Sequence, residues 1–196
     1  MISFIQGKLV TASDNFVILN VNGLGLKVFC SPKLIPRLIA TAETEKDITI
    51  FTFLSIKETR WDLFGFETKA ELDAFELLIS ISGIGPKTAL NILSVASVEE
   101  IEEAIILEDA SILSKISGIS KKNAQKIIVE LKNKVKKISH QSNQKSTLAG
   151  EIEVIDALTE LGYKLNEIRP ALNSFKSKNL SIEETIRQIL KILGNK

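Results

Sequence analysis

The chain is poor in the residues on which most enzyme chemistry depends. Its 196 residues include one cysteine and one histidine. The single cysteine, Cys30, excludes an intramolecular disulfide and points to a reducing compartment. In its apolar surroundings Cys30 reads as a small filler within a strand. The single histidine, His140, has no Cys, His or acidic cluster around it. That leaves nothing from which to build a Ser-His-Asp arrangement or a metal centre, and His140 reads as solvated. The opening MISFIQGKLV lacks a basic stretch followed by a long apolar run, so no signal peptide is expected. No run of about 18 uncharged apolar residues is present to span a membrane. The expectation is a soluble, cytoplasmic protein with no membrane partner. Formal net charge is only +1, so affinity for nucleic acid must come from charges sorted locally.

What is present changes period along the chain. Residues 1–66 hold five short runs, IQGKLV, NFVILNV, GLKVFC, DITIFTFLSI and RWDLFGF, rich in Val, Ile, Phe and Thr. Each is bounded by turn residues, and NGLG at 22–25 is a hairpin signal because Asn-Gly supplies the positive φ that a tight turn needs. Five strands in so short a segment predict a small barrel of the OB type. From residue 67 the pattern is helical. Thr68 with Glu71, and Ser97 with Glu100, fit capping boxes, and residues 67–137 predict about five helices. Residues 138–150, ISHQSNQKSTLAG, are polar and read as a flexible linker. Residues 151–196 predict three helices, the last capped by Ser181 with Glu184. So small a bundle has a marginal core, and a module of this kind more often grips a partner than performs chemistry.

Two segments repeat. ISISGIGPKTALNIL at 79–93 and SKISGISKKNAQKII at 114–128, offset by 35 residues, agree at seven positions. The shared core is Ile-Ser-Gly-Ile, followed by Lys87 or Lys122, Ala89 or Ala124, and Ile92 or Ile127. A helix–glycine turn–helix leaves the N–H groups of the second helix unpaired at the positive end of its dipole. That is an anion site, with phosphate its natural occupant. A lysine one turn in adds charge, and the small alanine lets the helices pack closely. GIG alone reads equally well as a plain helix cap and turn; two copies with matching lysines argue for paired phosphate grips without sequence readout. Charge sorting agrees. Residues 115–137 carry eight lysines and one acid, Glu130, whereas 99–109 carry six acids and no base. GPKT at 85–88 approaches a P-loop, but Pro86 stands where glycine must precede the lysine, so no ATP site is expected.

With these parts in place, the chain resembles the bacterial Holliday junction branch-migration RuvA family over essentially its full length. The resemblance is carried by MISFIQGKLV, VNGLGLKV, LFGFETKAELDAFELLISISGIGPKTALNILS, KISGISKKNAQKIIVELK and ALTELGYKLNEI. It implies an OB-fold domain I (1–66) with a pin, a helix-hairpin-helix domain II (67–137), the linker, and a mobile domain III (151–196). It further implies a homotetramer, single or as two stacked layers, holding a four-way junction open and planar in recombination, DNA repair and the SOS response. Domain III would dock the hexameric RuvB ATPase, which consumes the ATP; the RuvC resolvase is a further implied partner. No cofactor and no catalytic residue of the chain's own are implied. DNA contacts would come from Ser82, Gly83, Ile84, Gly85, Gly118, Ile119 and Ser120 and the side chains of Lys87, Lys121, Lys122 and Lys126. Leu158, Leu161, Tyr163 and Leu165 are the residues expected to face the motor.

Two departures stand out. The family pin has two adjacent acids, whereas SIKETRWD offers Glu58 followed by Thr59 and Arg60, with Asp62 as a second candidate. Ser120 replaces the second glycine of the hairpin. If that position needs positive φ, serine costs about 1 kcal/mol, while its hydroxyl could add a phosphate contact; the sequence leaves both open. A helix-hairpin-helix glycosylase or lyase is the competing enzyme reading, and it needs an aspartate about 20 residues past the hairpin plus a base pocket. Near that distance after Gly85 stand Glu103, Glu108 and Asp109, in a segment without bases. The third reading is a protein adaptor that does not touch DNA.

Overall fold

The computed structural model describes residues 2–44, 47–114, 119–141, 147–174 and 181–194, with the side chains of 136–141, 147 and 173 outside the description. Gly118 and Lys115 lie outside the described residues, as does the side chain of His140. The chain divides into two compact units, residues 1–101 with 111–121, and residues 102–110 with 122–196.

The first unit begins with strands β1 (Phe4–Ala12), β2 (Phe16–Val21) and β3 (Leu24–Cys30), helix α1 (Leu34–Thr44), and strands β4 (Ile48–Lys57) and β5 (Arg60–Phe66). They close a barrel in the order β1-β2-β3-β5-β4, antiparallel except where β3 runs parallel to β5. The five expected strands are all present. Asn22 and Gly23 have φ of 51° and 92° and form the two-residue turn between β2 and β3. The Asn20 side-chain oxygen accepts from the Gly23 N–H at 2.7 Å. Alternating residues Val17, Leu19, Val28, Cys30 and Ile50 fill the interior with no exposure. Burial pushes the Cys30 thiol up to about 12, so it is the inert filler its surroundings suggested. Helix α1 was not foreseen. Its Leu34, Ile35 and Leu38 join the barrel core, and Pro36 is compatible with helix because it stands in the first turn, where its missing N–H costs nothing.

The other face of the barrel is aromatic. Helix α2 (Lys69–Ile79) lays Phe75 against Phe53, Phe64 and Phe66, with ring centroids 5.3, 5.5 and 4.8 Å away. Phe75 is wholly buried. Helices α3 (Pro86–Val95), α4 (Val98–Leu107) and the short α5 (Ser111–Ser114) follow. The anticipated hydroxyl caps form, although the Glu71 carboxylate accepts from the Glu67 N–H at 2.9 Å, one residue earlier than a reciprocal box requires. Thr68 Oγ1 accepts from the Glu71 N–H at 3.2 Å, and Ser97 and Glu100 exchange bonds of 3.2 and 2.8 Å.

In the second unit, α6 (Lys121–Gln141), α7 (Thr147–Glu160), α8 (Leu165–Asn173) and α9 (Ile182–Gly194) succeed one another. The expected linker at 138–150 is thus helical at both ends, and 142–146 lies outside the described residues. The Ser181 cap forms as expected, with 3.2 and 3.0 Å bonds to Glu184. Val154, Ile155, Leu158, Ile168, Leu172 and Ile189 make the C-terminal core, with Ile106 of α4 packed against it. Polar contacts tie the same elements. Lys132 of α6 donates to Glu108 at 2.9 Å and to Asp156 of α7 at 3.0 Å, and Arg169 pairs with Glu103. The Lys132 side chain is only 13% exposed. Burial opposes its charge, but the two carboxylates prevail and hold its pKa above the ordinary value. Glu108 has φ of 53° at the end of α4, a position that glycine usually takes. Here a side chain is needed to reach Lys132.

Two outcomes follow for stability. A Cβ at Gly7 would stand 2.5 Å from the Asn20 carbonyl oxygen, whereas at Gly25 it would meet only a methyl at 3.8 Å. Gly7→Ala is expected to cost about 1–3 kcal/mol in urea unfolding followed by circular dichroism, and Gly25→Ala less than about 0.5. Lys132→Ala leaves Glu108 and Asp156 without their shared cation and is expected to cost about 1–2 kcal/mol. Because the raised Lys132 pKa keeps its charge on throughout the neutral range, that loss should be the same at pH 6 and pH 8; a loss confined to one of these would exclude the ion pairs as its cause.

Candidate nucleic-acid interface

The first repeat is built on α2, which the Phe75 packing holds to the barrel. The chain leaves α2 at Ser80 and turns through two short bonds, Ile81 N–H to Leu78 O and Ile84 N–H to Ile81 O, both 3.1 Å. Ile81 and Ile84 are 4% and 5% exposed and pin the turn from below. Ser82 and Gly83 are exposed between them. Gly83 has φ of 91°, which only glycine adopts freely. Gly85 then caps α3 in extended conformation, φ −88° and ψ 168°, with no side chain to bond the helix start. The first intrahelical bond is Ala89 N–H to Gly85 O, 2.9 Å. Pro86 has no N–H, so the N–H groups of Lys87 and Thr88 are the ones that the helix itself leaves unpaired. Lys87 is exposed beside them.

The neighbouring helix starts differ. Glu71 stands in the first turn of α2, and Glu99 and Glu100 in that of α4. Glu99 is held below the ordinary carboxylate range by bonds from its own backbone N–H and from Ser97. Helix α3 has no acid in its first turn and no side-chain cap. Its dipole is therefore left for an external anion. One expected role changes here. The Ile84 N–H is spent inside the turn and its side chain is buried, so Ile84 anchors the loop rather than donating to a ligand.

In the second repeat Gly118 lies outside the described residues, while Ile119 is half-buried and Ser120 exposed. Ser120 stands directly before α6, as Gly85 stands before α3. The question of positive φ is answered by both positions. Gly85 has negative φ and open space around it, and Ser120 is not among the residues of positive φ. The position is an N-cap, where serine ranks among the preferred residues, so Ser120 carries no backbone strain. Lys121, Lys122 and Lys126 are exposed on the first turns of α6, with Lys126 3.5 Å from Glu130. Ala124 and Ile127 are buried, as Ala89 and Ile92 are in the first repeat. The basic run is smaller than its lysine count, because Lys132 is committed to Glu108 and Asp156.

Glu58 is exposed at the tip of the β4–β5 hairpin, where it and Thr59 make the turn between Lys57 and Arg60. Asp62 does not join it. It is 8% exposed and bound to Arg60 at 2.6 Å, because it lies two residues along β5 from Arg60, on the face that carries Phe64. A second correction concerns the C-terminal helices. Leu158 is fully buried in their core and cannot face a partner. Leu161 and Leu165 are 62% and 39% exposed, and Tyr163 is half-buried against that core. Gly162, with φ of 92°, ends α7 between them. Among the described residues no group of three His, Cys, Asp or Glu could hold a metal ion, and no helix is long and apolar enough to cross a membrane.

The comparisons with known proteins agree with this order of parts. Residues 1–65 match the RuvA N-terminal domain, 75–133 the SAM-like helix-hairpin-helix tandem, and 152–194 the RuvA C-terminal domain. The protein of Halothermothrix orenii named Holliday junction branch migration complex subunit RuvA is 38% identical over 197 residues, spanning 100% of this chain and 99% of its own length. Proteins of the same name from Herpetosiphon aurantiacus and Acetivibrio thermocellus are 38% and 36% identical over 198 and 203 residues, each covering 99% of both chains. With a closed five-stranded barrel, a hairpin that opens a helix start to anions, and similarity from end to end, the chain belongs to the RuvA family.

Proposed function

We propose that this chain is a non-catalytic, structure-specific DNA-binding subunit that holds four-way junctions open for branch migration in recombination and repair. The observation that carries the reading is the uncapped start of α3. A rigid turn presents the Lys87 and Thr88 N–H groups beside an exposed lysine, with no protein carboxylate in the helix's first turn. Such a device takes a phosphate and ignores the base. The second repeat adds Ser120 and the exposed Lys121, Lys122 and Lys126. Glu58 at the barrel hairpin supplies a single-acid pin that repels phosphate backbone, weaker than a pair of acids. Four copies, as one tetramer or two stacked, would offer these grips to four arms. The ATP-driven RuvB motor would dock on the C-terminal helices through Leu161, Leu165 and the edge of Tyr163. RuvC is a further partner in this reading, and the chain itself needs no cofactor.

The reading is tested by competition between a synthetic four-way junction and linear duplex of equal length at a stated salt concentration. The junction should win, and Lys87→Glu should weaken its binding at least about tenfold and flatten the salt dependence by about one unit of slope per lost contact. Equal binding to both DNAs would withdraw it. Cleavage of damaged duplex should be absent. Leu161→Asp combined with Leu165→Asp should leave junction binding within about twofold, since both residues are exposed, while weakening association with the motor.

A further inference from the structure

Beyond the rim of the barrel, β4 and β5 continue as a two-stranded ribbon with unlike faces. On one face Leu54 stands opposite Leu63, and then Ile56 opposite Trp61. This is the inward row of the barrel, carried past the point where the barrel can cover it. Leu63 is 6% exposed, whereas Ile56 and Trp61 are 64% and 73% exposed. On the other face Ser55 stands opposite Asp62 and Lys57 opposite Arg60, with Asp62 and Arg60 ion-paired. An indole left in water forgoes burial of roughly 150–250 Å², and nothing in the barrel's own packing requires tryptophan at position 61.

The size and surroundings of the patch select its occupant. Two side chains fall well short of the roughly 800 Å² per partner that a stable protein contact buries, but they suit one flat ring. The β4–β5 loop of five-stranded barrels of this strand order is a recurrent contact for oligonucleotides. Bases stack on exposed aromatics whatever their identity, because every base has a π-face. Lys57 stands on the ribbon's opposite face, next to the tip. We propose that Trp61, backed by Ile56, is a stacking platform for one unpaired nucleobase of the DNA. The inference rests on the junction reading above, since unpaired bases arise where strands exchange partners. It gives the hairpin two functions: Glu58 at the tip turns phosphate away, and Trp61 on its flank holds the base that the separated strand exposes.

Trp61 is the only tryptophan in the chain, so emission from the full-length protein reports this site alone. The protein is titrated with a four-way junction, a linear duplex of equal length and a single-stranded 12-nucleotide deoxyoligonucleotide. The junction and the single strand should quench and shift the emission, and the duplex should leave it unchanged. Trp61→Ala should weaken single-strand binding about tenfold, and Trp61→Phe should largely retain it, with unchanged circular dichroism for both. Unchanged emission on binding the junction, or wild-type affinity in Trp61→Ala, overturns the platform. It is also overturned if the free protein's indole is already shielded and becomes exposed on dilution as copies dissociate, because a second copy then covers it. Loss of the preference for junction over duplex would instead fell the functional reading. The platform is then decided by the single strand alone, and falls if that strand leaves the emission unchanged.

Discussion

Phe75 is the joint on which the candidate site depends. It is wholly buried and touches rings on β4 and β5 at once, Phe53 on one strand and Phe64 and Phe66 on the other. Through it the orientation of α2 is set by the barrel, and the first glycine turn begins at the end of α2. Ile81 and Ile84 then fasten the turn itself. The backbone donors of α3 are thus held at the end of a rigid lever from a closed sheet. A phosphate grip made from backbone requires that rigidity, because N–H groups cannot reorient toward a ligand as a lysine side chain can.

Charge in this chain is sorted rather than abundant. Acids fill the starts of α2 and α4, where the Glu71 carboxylate accepts from the Glu67 N–H and that of Glu100 from the Ser97 N–H. The start of α3 has neither acid nor capping side chain. Further along, Lys132 is withdrawn from the surface by Glu108 and Asp156 and serves to join α6 to α4 and α7. A near-zero net charge therefore coexists with local positive potential at the two repeats, and salt should weaken DNA binding through a few defined contacts.

Much of this was legible in the sequence because it is written in local rules. The Asn22-Gly23 turn, the three hydroxyl–glutamate caps and the alternation of the strands each involve residues within a few positions of one another. The first repeat was legible for the same reason. What escaped depends on neighbours distant in sequence. Helix α1 has helical spacing at Leu34, Ile35 and Leu38, but Pro36 interrupts the pattern to the eye while fitting the first turn. Asp62 resembled a pin acid by proximity to Glu58, yet strand alternation turns it to the face of Arg60 and Phe64. Leu158 and Leu161 look alike in the text, and only the end of α7 at Gly162 separates a buried leucine from an exposed one. Lys132 counted as one more base in a basic run until its two carboxylates came into view.

Barrel closure has a consequence for how copies of this chain can meet. β1 pairs with both β2 and β4, and β5 with both β3 and β4, so the barrel is closed, while β4 and β5 run on past it as a ribbon paired only to each other. The run ITIFTFLSI in β4 is long, apolar and uncharged, the kind of segment that in an open sheet would template strand addition and fibrous aggregation. Here Ile48–Phe51 pair with β1 and Phe51–Lys57 with β5. Closure therefore turns association between copies away from strand addition along the barrel and toward side-chain faces, which can separate with the fold intact.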